Sequence, residues 1–135
     1  MKKLLSTKYS KNGFNIAMLL LRLTMGLLMM SHGYQKLLDF AETKNTFMNF
    51  MGLGSSMSLA LVIFAEFFCA LFLILGLLTR GVVVPLVITM FVALYKAHNL
   101  DFMGDGEMAT LYLGGFLTLL ILGPGRVSVD GMTGN

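Results

Sequence analysis

The chain has 135 residues, 56% of them hydrophobic and only 13% charged, with a mean hydropathy of +0.79. Soluble domains of this size are about a quarter charged, so most of this chain cannot be water-facing surface. The net charge of +3 is too dispersed for a phosphate-binding face, which excludes nucleic acid as a partner and leaves the lipid bilayer.

Residues 1–13 read as a cytoplasmic tail, residues 14–123 as the transmembrane domain and residues 124–135 as a second cytoplasmic tail. The N-terminus begins with Lys2 and Lys3, but Ser6 to Gly13 is polar. It therefore lacks the apolar region and cleavage site of a signal peptide, and the first span is expected to act as its own uncleaved anchor. Four apolar segments follow, at roughly Phe14–Tyr34, Ser58–Leu78, Val82–Tyr95 and Met108–Leu122. The last two fall short of the ~20 residues a span needs. Snorkelling by Lys96 and Glu107 can extend them, and the tight Leu78-Thr79-Arg80-Gly81 turn favours a helical hairpin over re-entrant segments. The expected fold is all-α membrane, a four-transmembrane-helix bundle.

Charge bias orients it. With the N-terminus inside, the cytoplasmic side carries Lys2, Lys3, Lys8, Lys11, Arg80 and Arg126 against Asp130 alone. The outer side carries Lys36, Lys44 and Lys96 with Asp39, Glu42, Asp101, Asp105 and Glu107. That obeys the positive-inside rule and places both termini in the cytoplasm. The first outer loop, Asp39 to Ser56, is greasy, with Phe40, Phe47, Met48, Phe50, Met51 and Leu53. A short amphipathic helix over Asn45–Met51 would lie across the outer mouth, and Ser55 or Ser56 can cap the second span. Pro85 is expected in the first turn of the third span, where proline costs little. Tyr34, Tyr95 and Tyr112 are candidate interfacial anchors.

Two polar groups carry the functional question. At ~100° per residue, Arg22, Gly26, Met29, Gly33 and Lys36 share one stripe of the first helix. A cation facing lipid costs at least ~2.5 kcal/mol, so that stripe must face protein or water. Arg22 and Glu66 are the only charges left deep in the membrane, and counting from the inner ends of their helices at ~1.5 Å per residue separates them by about one turn. They are expected to pair, either to fix helix register or to line a cavity for a polar head group, a quinone or a proton. The second group is an outer-end cluster of His32, Lys36, Lys96, His98 and Glu107, contributed by three helices. It is either a wet interface or a convergent site. Two histidines on separate segments are a thin basis for a metal site or a bis-histidine haem, so no metal is expected.

The remaining chemistry is sparse. Cys69 is the only cysteine, which excludes an intrachain disulfide and a Cys-x-x-Cys pair. Glu107, Thr110, Gly114 and Thr118 share a face that suits helix packing. The 12 methionines contain no Met-x-Met array and suit core filling or lipid contact.

Several pieces in order resemble the DoxX family of small four-helix bacterial membrane proteins: Arg22-x-x-x-Gly26, His32-Gly33-x-x-Lys36-Leu37, Glu66, Gly76-Leu77-Leu78-Thr79-Arg80 and Pro124-Gly125-Arg126-x-Ser128-Val129-Asp130. After Glu66, Phe67-Phe68-Cys69-Ala70 departs from the glycine-rich turn of many relatives. The resemblance implies a bacterial inner-membrane location. It also implies a link to membrane oxidoreductase complexes, since the family is named after a subunit of a thiosulfate:quinone oxidoreductase. Any carry-over of function falls on Arg22, His32, Lys36, Glu66 and Arg80. The reading that follows is a membrane subunit of a redox complex, with no cofactor of its own, a quinone as candidate ligand, and a redox protein or a second copy as partner. Whether it is an enzyme stays open. A small-molecule binding or transport protein and a structural assembly factor are the alternatives.

Overall fold

The structure, a computed structural model, describes residues 2–97 and 99–134. Among these residues all regular structure is helical. Three helices are long and apolar enough to cross a membrane: α1 (Lys11–Leu38), α3 (Ser55–Leu75) and α4 (Thr79–Lys96). A fourth apolar helix, α5 (Glu107–Leu122), has 16 residues. Two short helices, α2 (Phe40–Thr43) and α6 (Val129–Thr133), accompany them.

The four apolar helices close into a ring, with α1 on α3, α3 on α4, α4 on α5, and α5 back on α1. Met25, Met29, Leu73, Leu86, Phe116 and Leu119 fill the middle. Leu20, Leu27, Phe64, Phe72, Ile88, Leu111 and Ile121 point outward and are exposed. In water that surface would drive aggregation; in a bilayer a lipid-facing surface is as apolar as a core. The chain is a multi-pass membrane protein in contact with lipid.

The predicted stripe on α1 is buried. Arg22, Gly26, Met29 and Gly33 all lie inside the bundle. Two glycines let α1 lie directly on α3: a Cβ at Gly33 would stand 2.6 Å from both the Glu66 carbonyl carbon and the Phe67 nitrogen, and one at Gly26 would stand 2.5 Å from Ile74 Cγ1. These contacts also fix the antiparallel register. Gly33 is level with Glu66, Gly26 with Ala70 to Ile74, and Arg22 with Gly76 at the end of α3. The first three turns of α1, ~16 Å of helix at ~1.5 Å per residue, therefore run past the end of α3. The C-terminal segment fills the space beside them: Gly125 lies against Met18, and the Arg126 N–H donates to Asn15 Oδ1 at 2.9 Å. Both tails thus meet at one end of the bundle, called here the termini end.

Several local expectations are corrected. The loop helix forms at Phe40–Thr43, not over Asn45–Met51. There the Phe50 N–H donates to Ser58 Oγ at 2.8 Å instead of to a carbonyl one turn back, and Met51 turns left-handed at φ 52°. Ser55 and Ser56 do not cap α3; their hydroxyls donate to the Lys44 carbonyl and tie the loop down. Pro85 sits in the second turn of α4, because that helix already begins at Thr79. Tyr112 is a core residue, 8% exposed and stacked on Phe116 at 5.9 Å between ring centroids, whereas Tyr34 and Tyr95 are exposed.

Candidate functional site

Within α3, the six residues Phe64–Cys69 form a wider π-helical turn. Such a turn admits an extra residue per coil and is frequent at functional sites. Here it buries Ala65, Glu66 and Cys69 together, and Gly33 allows α1 to press on its backbone. One turn beyond Gly33, Lys36 rides the same stripe and meets the carboxylate. Lys36 Nζ donates to Glu66 Oε1 at 2.7 Å and also to Oε2. The two sides of this ion pair are unequal: the Glu66 side chain is 4% exposed and that of Lys36 is 34% exposed. A buried carboxylate is therefore reached from outside through its lysine.

Aromatic groups frame the pair. Tyr112 on α5 lies near Glu66. His32, exposed and one turn before Lys36, meets the Tyr112 ring edge-on, with centroids 6.0 Å apart at 86°. On the other flank Tyr34 stacks on Phe67 at 6.2 Å. Glu66 and Lys36, with Tyr112 and His32 beside them, thus form one polar cluster among apolar helices. It can donate hydrogen bonds through Lys36 and His32 and hold one negative charge at Glu66.

The expected Arg22–Glu66 pair does not form. Counting from the helix ends assumed that α1 and α3 end level, but the overhang of α1 puts Arg22 beside Gly76, far along α3 from Glu66. Arg22 is 1% exposed, and its Nη2 donates to the Val127 carbonyl at 2.7 Å. Its Nε and Nη1 find no acceptor among the described residues. The nearby acid is Asp130, whose Oδ1 and Oδ2 accept the N–H groups of Leu78 and Thr79 at 2.8 and 2.9 Å. Asp130 thereby caps α4 from the far end of the chain and steadies Leu78, a non-glycine residue held at φ 51°. Burial pushes the Asp130 carboxyl up, but the Thr79 and Leu78 N–H groups and the Arg22 charge outweigh it and hold it below its ordinary value. The Asp130 N–H donates in turn to the Gly76 carbonyl at 2.9 Å. Ser128 Oγ accepts the Gly131 N–H at 2.9 Å and starts α6.

The outer-end cluster converges only in part. Lys36 is drawn to Glu66 and His32 to Tyr112, while Lys96 and Glu107 are exposed, with no side-chain hydrogen bond among the described residues. Lys96 lies over the Tyr95 ring at 5.9 Å. His98 lies outside the described residues. Arg80 is exposed at the termini end and donates to the Ile121 carbonyl at 3.3 Å. Among the described residues no three His, Cys, Asp or Glu side chains gather as metal ligands. Tyr112 and Asp130 were not among the expected site residues. Asp130 had a signal, as the last residue of the Pro124-to-Asp130 motif; Tyr112 had none beyond its place on the fourth apolar segment.

Against known proteins, the DoxX family model matches residues 17–99, which spans the stripe of α1, the π-helical turn and α4. Comparison with curated proteins and with solved structures finds no match.

Proposed function

The chain belongs to the DoxX family, and on that premise we propose that it is a quinone-interacting, non-catalytic subunit of a membrane redox complex. The observation that carries this reading is the Lys36–Glu66 pair, a buried carboxylate held by a lysine that keeps one-third of its surface exposed. A quinone head group presents two carbonyl oxygens and no donor, so it needs donors in an apolar wall. Lys36 and His32 are such donors, and Glu66 holds Lys36 charged and in place. Electrons would come from a partner protein, and this chain would bind and orient the head group. The same reading takes α5 as a fourth span, with both termini cytoplasmic in a bacterial inner membrane and residues 14–123 as the membrane domain. Purification in mild detergent with lipid extraction tests it: a co-purifying quinone and a quinone-dependent thermal shift support it. Absence of both sinks it.

A second reading has its own observation. Gly33 places α1 directly on the backbone of Glu66, so the Lys36–Glu66 pair also closes the contact between two helices and could serve assembly alone. A Lys36→Met/Glu66→Met chain that folds and leaves the partner complex intact and active would favour this reading.

A further inference from the structure

At the termini end, away from the Lys36–Glu66 pair, lies a cleft of about 840 Å³ between the start of α1, the α3–α4 turn, the end of α5 and the C-terminal segment. Lys11, Arg80 and Arg126 line it, with Asp130 as its acid. That carboxylate is already occupied by the N–H groups of Leu78 and Thr79, so the three cations have no ion-pair partner among the described residues. Arg22 adds a fourth positive charge behind Asp130, buried and with two nitrogens that lack an acceptor among the described residues. The Arg80 and Gly81 N–H groups, in the first turn of α4, have no intrahelical partner either. Most of the remaining wall is apolar, including Phe14 and Leu122, and Leu122 and its neighbour Ile121 are exposed on the outward surface.

We propose that this cleft binds the phosphate of an anionic phospholipid, with Lys11, Arg80 and Arg126 around the head group and an acyl chain running along Phe14 and Leu122. A soluble phosphate would match the cations but leave the apolar wall bare; a lipid satisfies both. The cleft sits where the apolar helices end, at the level where lipid head groups lie. Each cation in direct contact with the phosphate is worth about fivefold in binding. The proposal is independent of the quinone reading, because no residue is shared.

The test uses the full chain purified in neutral detergent, with thermal stability and native mass spectrometry as readouts. Phosphatidylglycerol, phosphatidylcholine and inorganic phosphate are titrated separately. Saturable binding of phosphatidylglycerol is expected, with phosphatidylcholine much weaker. Lys11→Gln/Arg126→Gln removes two cations whose side chains make no internal hydrogen bond among the described residues, and should weaken phosphatidylglycerol about 25-fold. Lys2→Gln/Lys3→Gln, outside the cleft, should change it less than twofold. Equal binding of the two lipids, or equal loss in the two variants, overturns the proposal. Displacement of phosphatidylglycerol by millimolar inorganic phosphate would assign the site to a soluble anion and overturn it as well.

Discussion

The unequal burial of Lys36 and Glu66 makes a prediction that a symmetric ion pair would not. Lys36→Met leaves a carboxylate that is 4% exposed with no cation beside it. Removing one partner of a buried pair costs about 3–5 kcal/mol, most of it from the stranded charge. Glu66→Gln strands only Lys36, which is 34% exposed and can turn its ammonium to water. Its cost should be about 1 kcal/mol, the scale of one lost hydrogen bond. The double variant Lys36→Met/Glu66→Gln strands no charge, only a neutral amide, and should fall well short of the sum of the singles. Equilibrium unfolding in mixed micelles, run as a double-mutant cycle, reads all three. Equal costs for the two single variants would refute the argument from burial, and so would strict additivity.

Three further outcomes are expected. Gly33→Ala would push a methyl against the Glu66 and Phe67 backbone and cost about 1–3 kcal/mol; Gly114→Ala, where a Cβ meets nothing within 4 Å, should be neutral in the same unfolding assay. Asp130→Asn should cost about 1–2 kcal/mol through the weakened cap of α4. Because the native Asp130 pKa is depressed, its stabilising contribution is present above the ordinary carboxylate value of about 4 and is lost as pH falls through the lower native value. The wild-type advantage in thermal midpoint over Asp130→Asn should therefore shrink below about pH 4. Arg22→Met removes the hydrogen bond to the Val127 carbonyl, and limited proteolysis should then cut the chain after Gly123 faster than in wild type.

Much of this fold was readable in the chain because hydrophobicity and helical period act locally. The four apolar runs, the α1 stripe and the hairpin at Leu78 to Gly81 all follow from residues within a few turns of one another. Lys36 and Glu66 were each singled out for the same reason, as charges in apolar surroundings. Their partnership was not readable, because it depends on how far α1 slides along α3. That slide is set by Gly26 and Gly33 meeting the α3 backbone, and by a C-terminal segment that supplies Arg22 with the Val127 carbonyl and the Asp130 charge. The loop helix moved for a similar reason: one hydroxyl, on Ser58, takes the Phe50 N–H that a helix over Asn45–Met51 would need. Long-range contacts decide such details, and nothing in a local pattern encodes them.

The central claim is that Lys36, anchored by Glu66, presents a donor to a quinone head group. Thermal stabilisation of the purified protein by a short-chain ubiquinone tests it most directly, comparing wild type, Lys36→Gln and Lys96→Gln. A saturable shift in wild type and Lys96→Gln, with apparent affinity about tenfold weaker in Lys36→Gln, is the predicted result, the ~1.4 kcal/mol expected of one charge-assisted hydrogen bond. The same shift in all three proteins, or none in wild type, would contradict it.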